Sequence, residues 1–111
     1  MTYKVGLIEE SKKDIKNLAK KYPLIQKDIF NIVDSLEVDP TGVGVHLGKN
    51  IYKIRLKNSS VKKGKSGGFR VIYYVVTEEF EVLILKIYSK NYIDNVYDEE
   101  ILKILAKVLE K

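Results

Sequence analysis

The sequence has no cysteine and no tryptophan, and only one histidine and two prolines in 111 residues. Without cysteine there is no disulfide, no thiolate nucleophile and no Cys-based zinc or iron–sulfur site. His46 alone cannot build a His-rich metal centre, so no metal or other cofactor is expected. No apolar run approaches the roughly 18 residues of a membrane span. The N-terminal MTYKVGLIEESKK lacks the apolar core of a signal peptide and carries acids from Glu9, so the expected location is the cytoplasm. The most informative gap is in negative charge. From Pro40 to Thr77 there is no Asp or Glu, yet Lys49, Lys53, Arg55, Lys57, Lys62, Lys63, Lys65 and Arg70 fall there. That stretch carries +8 of a chain whose net charge is +5. Charge segregated in this way points to an anionic partner, and nucleic acid is the commonest one for a small basic domain.

What is present suits one modest globular core, with 45% hydrophobic and 32% charged residues, and a single domain over residues 1–111. Tyr3–Ile8 reads as a strand. Ser11 is placed to cap a helix carrying Ile15, Leu18, Ala19 and Tyr22 at helical spacing. Pro23 stops it and suits the first turn of a second helix with Leu24, Ile25, Ile29, Ile32, Val33 and Leu36. Gly42, Gly44 and Gly48 predict an irregular stretch. Three β-rich runs follow, Ile51–Lys57, Phe69–Val76 and Phe80–Tyr88, the last two joined tightly enough to pair antiparallel. Asp98 can cap a closing helix with Ile101, Leu102, Leu105, Val108 and Leu109. The order β-α-α-β-β-β-α predicts an α+β fold, an N-terminal strand and helical hairpin packed on a small antiparallel sheet.

Gly64-Lys65-Ser66 ends like a nucleotide-binding P-loop, but Ser59 stands where the first glycine belongs and a strand, not a helix, follows Gly68. A flexible basic hairpin loop is the better reading. Alternation along the strands puts Tyr52, Ile54, Leu56, Phe69, Val71, Tyr73, Val75, Leu83, Leu85 and Ile87 under the helix pair. It leaves Lys53, Arg55, Arg70 and Lys86 with Tyr74 and Tyr88 on an open face, and Lys90 and Tyr97 just beyond the last strand. Cations that grip phosphate beside rings that stack on bases suit RNA. Lys57 and Lys65 extend the basic surface. His46, in its Gly-rich segment, reads as a loop or structural residue.

Ile51-Tyr52-Lys53-Ile54-Arg55-Leu56, the run Gly64-Lys65-Ser66-Gly67-Gly68-Phe69-Arg70-Val71-Ile72-Tyr73-Tyr74 and Ile87-Tyr88-Ser89-Lys90-Asn91 together resemble the RelE/ParE superfamily of toxins, in its RelE/HigB-like branch. The resemblance implies a RelE-like fold of the microbial-ribonuclease type and a toxin that cuts mRNA on the ribosome and is silenced by a cognate antitoxin. It implies catalytic positions at Lys53, Arg55, Arg70 and Tyr97, the first three holding the RNA backbone and the transition state and Tyr97 acting as base or stacking partner. Where some members carry a second arginine after the last strand, this chain has Asn91, with Lys90 adjacent. With no histidine pair, cleavage would use the substrate's own 2′-hydroxyl, with Lys53 or Tyr97 as base. The alternatives are a non-catalytic, ParE-like gyrase inhibitor and a basic domain that binds RNA or an acidic protein.

Overall fold

The computed structural model describes residues 2–61, 68–89 and 98–110. Among them the elements run β1 (Lys4–Leu7), α1 (Glu9–Ala19), α2 (Ile25–Val38), the single turn α3 (Pro40–Val43), β2 (Val45–Gly48), β3 (Ile51–Leu56), β4 (Phe69–Val76), β5 (Glu81–Ser89) and α4 (Asp98–Leu109). The five strands form one sheet in the order β1-β5-β4-β3-β2. It is α+β as the sequence predicts, but the sheet is mixed, because β1 runs parallel to β5, from Lys4 opposite Glu81 to Leu7 opposite Ile84. The α1–α2 hairpin makes that crossover possible, carrying the chain from β1 across the sheet.

Local details depart from the sequence reading where backbone geometry overrides residue preference. Ile8 is the N-cap of α1, and Ser11 sits one turn inside, its Oγ accepting from Ile8 N at 2.9 Å and donating to Ile8 O at 3.0 Å. Pro23 lies in the connection, and α2 begins at Ile25. The glycine-rich stretch holds α3 and the short edge strand β2 instead of a loop. A tight turn joins β2 to β3, in which Lys49 and Asn50 both take positive φ (51° and 65°) after Gly48 at 105°. Two left-handed central residues match the right-handed twist of a hairpin, and Asn tolerates that region better than Lys does.

The sheet has a core on each face. Under the helical hairpin, Leu56, Phe69, Val71, Tyr73, Val75, Val82, Ile84 and Ile87 pack on Ile15, Tyr22, Ile25, Ile29 and Leu36. On the opposite face Ile51, Ile72, Leu85 and Tyr88 pack on Ile101, Ile104 and Leu105 of α4. Leu83 also lies against this second cluster. The alternation expected for β5 therefore fails, because Leu83 and Leu85 face α4. The cause is a bulge: Tyr73 opposes Ile84 while Ile72 opposes Lys86, leaving an extra residue, Leu85, in β5.

Two polar ties fix the helices to the sheet. The Tyr73 hydroxyl, pushed up to about 12 by burial, donates to Pro40 O at 2.6 Å. Buried Asp28 accepts from Ser59 N at 2.9 Å and from Ser59 Oγ, while Leu24 N donates to Ser60 Oγ at 2.9 Å. The end of β3 is thus pinned to the start of α2. No helix among the described residues is long and apolar enough to cross a membrane.

Replacing Asp28 by Ala would leave partly buried donors at Ser59 unmatched, and a loss of about 1–3 kcal/mol is expected in urea unfolding. In the β2–β3 turn, Lys49→Asn with Asn50→Gly would supply the residues this conformation prefers, and a gain of about 0.5–1 kcal/mol is expected in the same assay.

Candidate RNA-binding face

The basic residues of β3 and β4 come together because of register. Arg55 lies directly opposite Arg70, and Arg70 in turn opposite Tyr88 on β5. One pleat further along the same face, Lys53 opposes Ile72 on β4 and Val45 on β2. Lys53, Arg55 and Arg70 therefore share one corner of the face that α4 partly covers, next to the wall built by Tyr88, Ile72 and α4. Arg55 is exposed, Lys53 half-buried and Arg70 only 8% exposed. Arg70 Nη1 also donates to Phe69 O at 3.3 Å.

Two arginines directly across a strand pair repel each other, and desolvation strengthens that repulsion. An anion between them would offset it. Guanidinium groups held by a sheet present fixed planar donors to phosphate oxygens, and Lys53 adds a third cation. The strands thus bring together the three described residues expected to grip the RNA backbone.

Other expected positions fall differently. Lys57 is exposed just past the end of β3, and Tyr74 is half-buried against the α4 cluster. Tyr88 is only 3% exposed, so its ring forms part of the wall beneath α4 instead of an open stacking surface. Burial raises its phenol, while the charge of Arg70 pulls it back. Lys86 lies opposite Ile72 on this same face, but its charge is engaged by acids of the flanking helices. Its Nζ lies 3.3 Å from Asp14 Oδ1 on α1 and 3.5 Å from Glu100 Oε2 on α4. Lys65, Lys90, Asn91 and Tyr97 lie outside the described residues.

Asp14 gives no sequence signal beyond being a polar residue next to Ile15, yet it ties α1 to β5 at two points. Its Oδ2 accepts from Ile87 N at 2.9 Å, where β5 has run past the end of β1. Burial pushes its carboxyl up, although the Ile87 amide and the Lys86 ammonium oppose the rise. For Lys86, Asp14 and Glu100 hold the proton against desolvation, and its pKa is raised. His46 is exposed on β2 and stacks on Tyr52 at 4.8 Å between centroids, and Tyr52 stacks on Tyr73 at 5.7 Å. That column lies on the helical-hairpin side, away from the three cations. Among the described residues no three His, Cys, Asp or Glu gather in a way that could hold a metal ion.

In sequence, no protein-family model and no curated protein matches the chain. In structure, the toxin–antitoxin complex RelBE2 from Mycobacterium tuberculosis matches with a TM-score of 0.61 at 19% identity, over 80% of this chain and 99% of the other. A mutant of the E. coli toxin RelE in the free state matches at 0.59 and 18% identity, over 85% and 90%. The archaeal RelE–RelB complex from Pyrococcus horikoshii matches at 0.53 and 21% identity, over 81% and 97%. The chain has the RelE-like toxin fold.

Replacing Lys86 by Met would leave Asp14 without its nearest cation. A destabilisation of about 1–3 kcal/mol is expected at pH 7. The folded-state pKa of Asp14 lies above the ordinary 3.8, so the folded state binds the extra proton. The penalty should be complete above the folded pKa, shrink as the pH falls through it, and vanish below 3.8. Urea unfolding of both proteins between pH 3.5 and 8 reads this directly.

Proposed function

We propose that this RelE-like chain is the toxin of a toxin–antitoxin pair, an endoribonuclease that cuts ribosome-bound mRNA. The observation that carries the reading is the convergence of Lys53, Arg55 and Arg70 on one corner of the sheet, with like charges directly opposed across β3 and β4. A surface built only to bind a protein gains nothing from holding two arginines face to face. A scissile phosphate offsets their repulsion, and more so as charge develops on it.

In the reaction, the 2′-oxygen attacks the adjacent phosphorus as its proton passes to a base. The bond to the 5′-oxygen breaks, and that oxygen takes up a proton as it leaves. The products are a 2′,3′-cyclic phosphate and a 5′-hydroxyl, with no oxidant or metal required by the balance. Arg55 and Arg70 hold the non-bridging oxygens and fix the in-line geometry. Lys53 either adds to that charge or serves as base. Tyr97 is the other candidate for that role, with Lys57, Lys65 and Lys90 extending the track for the backbone. The mycobacterial and archaeal neighbours were solved as toxin–antitoxin and RelE–RelB complexes, which supports a cognate antitoxin as the protein partner here.

Expression in cells followed by mapping of mRNA 5′ ends tests the reading. Growth arrest with new 5′-hydroxyl ends is expected, and Arg55→Ala and Arg70→Ala should each lower cleavage about 100-fold or more. Because Arg70 is nearly buried, circular dichroism on its variant must first show a folded protein. Arrest with intact messages and inhibited gyrase would replace the nuclease by the ParE-like alternative.

A further inference from the structure

The column of stacked rings beside β2 is closed at one end and open at the other. At its inner end Tyr73 is fully buried, and its hydroxyl donates to Pro40 O. Tyr52 stacks on Tyr73 with the ring planes 16° apart, and His46 stacks on Tyr52 at 28°. Register sets this order, since His46 lies opposite Tyr52 and Tyr52 opposite Tyr73. His46 is exposed, and the strand that carries it is the outermost of the sheet. One face of its imidazole is therefore taken by Tyr52, while the other looks past the edge of the sheet. A ring fixed in place by a buried, hydrogen-bonded anchor can receive another flat ring at little cost in ordering.

A second feature marks the same hairpin. Lys49, exposed in the turn that follows β2, holds φ at 51°, a region in which lysine is uncommon. Asparagine or glycine would suit that turn better, but neither would put a cation so near His46. Residues held in sparsely populated conformations gather at binding sites. The surrounding charge is of one sign, because no Asp or Glu occurs between Pro40 and Thr77. On the other face of the same edge, Val45 lies opposite Lys53, so the edge strand borders both the ring column and the basic corner.

We infer that the free face of His46 stacks an unpaired base of the RNA strand held at the basic corner, the strand turning round the β2 edge and Lys49 holding a neighbouring phosphate. The inference rests on the RNA reading above and adds to it a base-binding site on the far side of the sheet edge. Ring faces stack on bases of any sequence, and a cation beside the ring holds the backbone, which together suit a single strand. An acidic protein segment would satisfy Lys49 but would leave the ring face of His46 without a matching surface.

The test uses the full-length protein and a short single-stranded RNA methylated at its 2′-oxygens, which blocks cleavage. The fluorescent base 2-aminopurine is placed at each position in turn, and the RNA is offered free and on ribosomes. One position is expected to lose fluorescence on binding, as 2-aminopurine does when it stacks. His46→Ala should abolish that loss and weaken binding about 10-fold, while His46→Phe, which keeps a flat ring, should retain both. Lys49→Asn should keep the fluorescence loss and lower the salt slope of binding by about one. Both positions are exposed, and circular dichroism checks that the variants fold. Unchanged affinity and fluorescence loss in His46→Ala overturns the stacking site and leaves RNA binding by Lys53, Arg55 and Arg70 intact. Equal losses in His46→Ala and His46→Phe overturn it as well, because the ring nitrogens and not the ring face would then be the contact. If the parent binds the RNA in neither form, the RNA reading falls, and this inference falls with it.

Discussion

One extra residue in β5 decides what each face of this protein can be. Up to Ile84 the strand follows the parity set by its parallel pairing with β1; beyond Leu85 the parity is reversed. Val82, Ile84 and Ile87 can therefore all face the helical hairpin, while Leu83, Leu85 and Tyr88 all face α4. A regular strand would send Ile87 and Tyr88 to the wrong sides, losing one core residue on each face. The bulge also puts Lys86 on the α4 face, opposite Ile72, and Asp14 and Glu100 take its charge. Asp14 completes the arrangement by accepting the Ile87 amide that β1 is too short to reach.

The basic corner follows from the same division. Since α4 covers Ile51, Ile72, Leu85 and Tyr88, Lys53, Arg55 and Arg70 sit beside the covered part of that face, with Arg55 the most exposed of the three. A guanidinium that is 8% exposed has lost most of its water. Its field reaches an approaching anion with less screening than a fully solvated arginine would offer. The hydrophobic layers on both faces hold the register that sets Arg55 opposite Arg70. Gly68, at φ 63°, starts β4 at a point where any Cβ would lie 2.7 Å from Leu56 O, so this residue is fixed by the closeness of the two strands.

Much of this was legible in the sequence because it depends on local period. The stripes of α1 and α2, the alternation of β3 and β4 and the acid-free stretch from Pro40 to Thr77 were enough to place Lys53, Arg55 and Arg70 on one face. The bulge was not legible. Val82 to Tyr88 alternates equally well in either phase until the pairing with Tyr73 and Ile72 is known. That is why Leu83 and Leu85 were expected under the helical hairpin; Lys86 and Tyr88 do share the face of Arg70, but the cover that α4 supplies there was missed. The direction of β1 was hidden for a related reason, since a four-residue strand carries no mark of parallel or antiparallel pairing. Asp28 stood in plain view on the buried stripe, three residues after Ile25 and one before Ile29. A carboxylate at such a position implies donors brought in from elsewhere, and here they come from Ser59.

The pairing of β1 with β5 also has a consequence in time. Lys4 meets Glu81, a separation of 77 positions (81 − 4), and Asp14 meets Ile87 across 73. Contacts this distant along the chain slow folding, because the loop must close before they contribute. On the ribosome, the first strand must wait for the fifth to emerge, and α1 has no place to dock until it does. The helical hairpin is made early, but its sheet is completed only after β5 has followed. The basic corner therefore gains its Tyr88 wall only once β5 has joined the sheet.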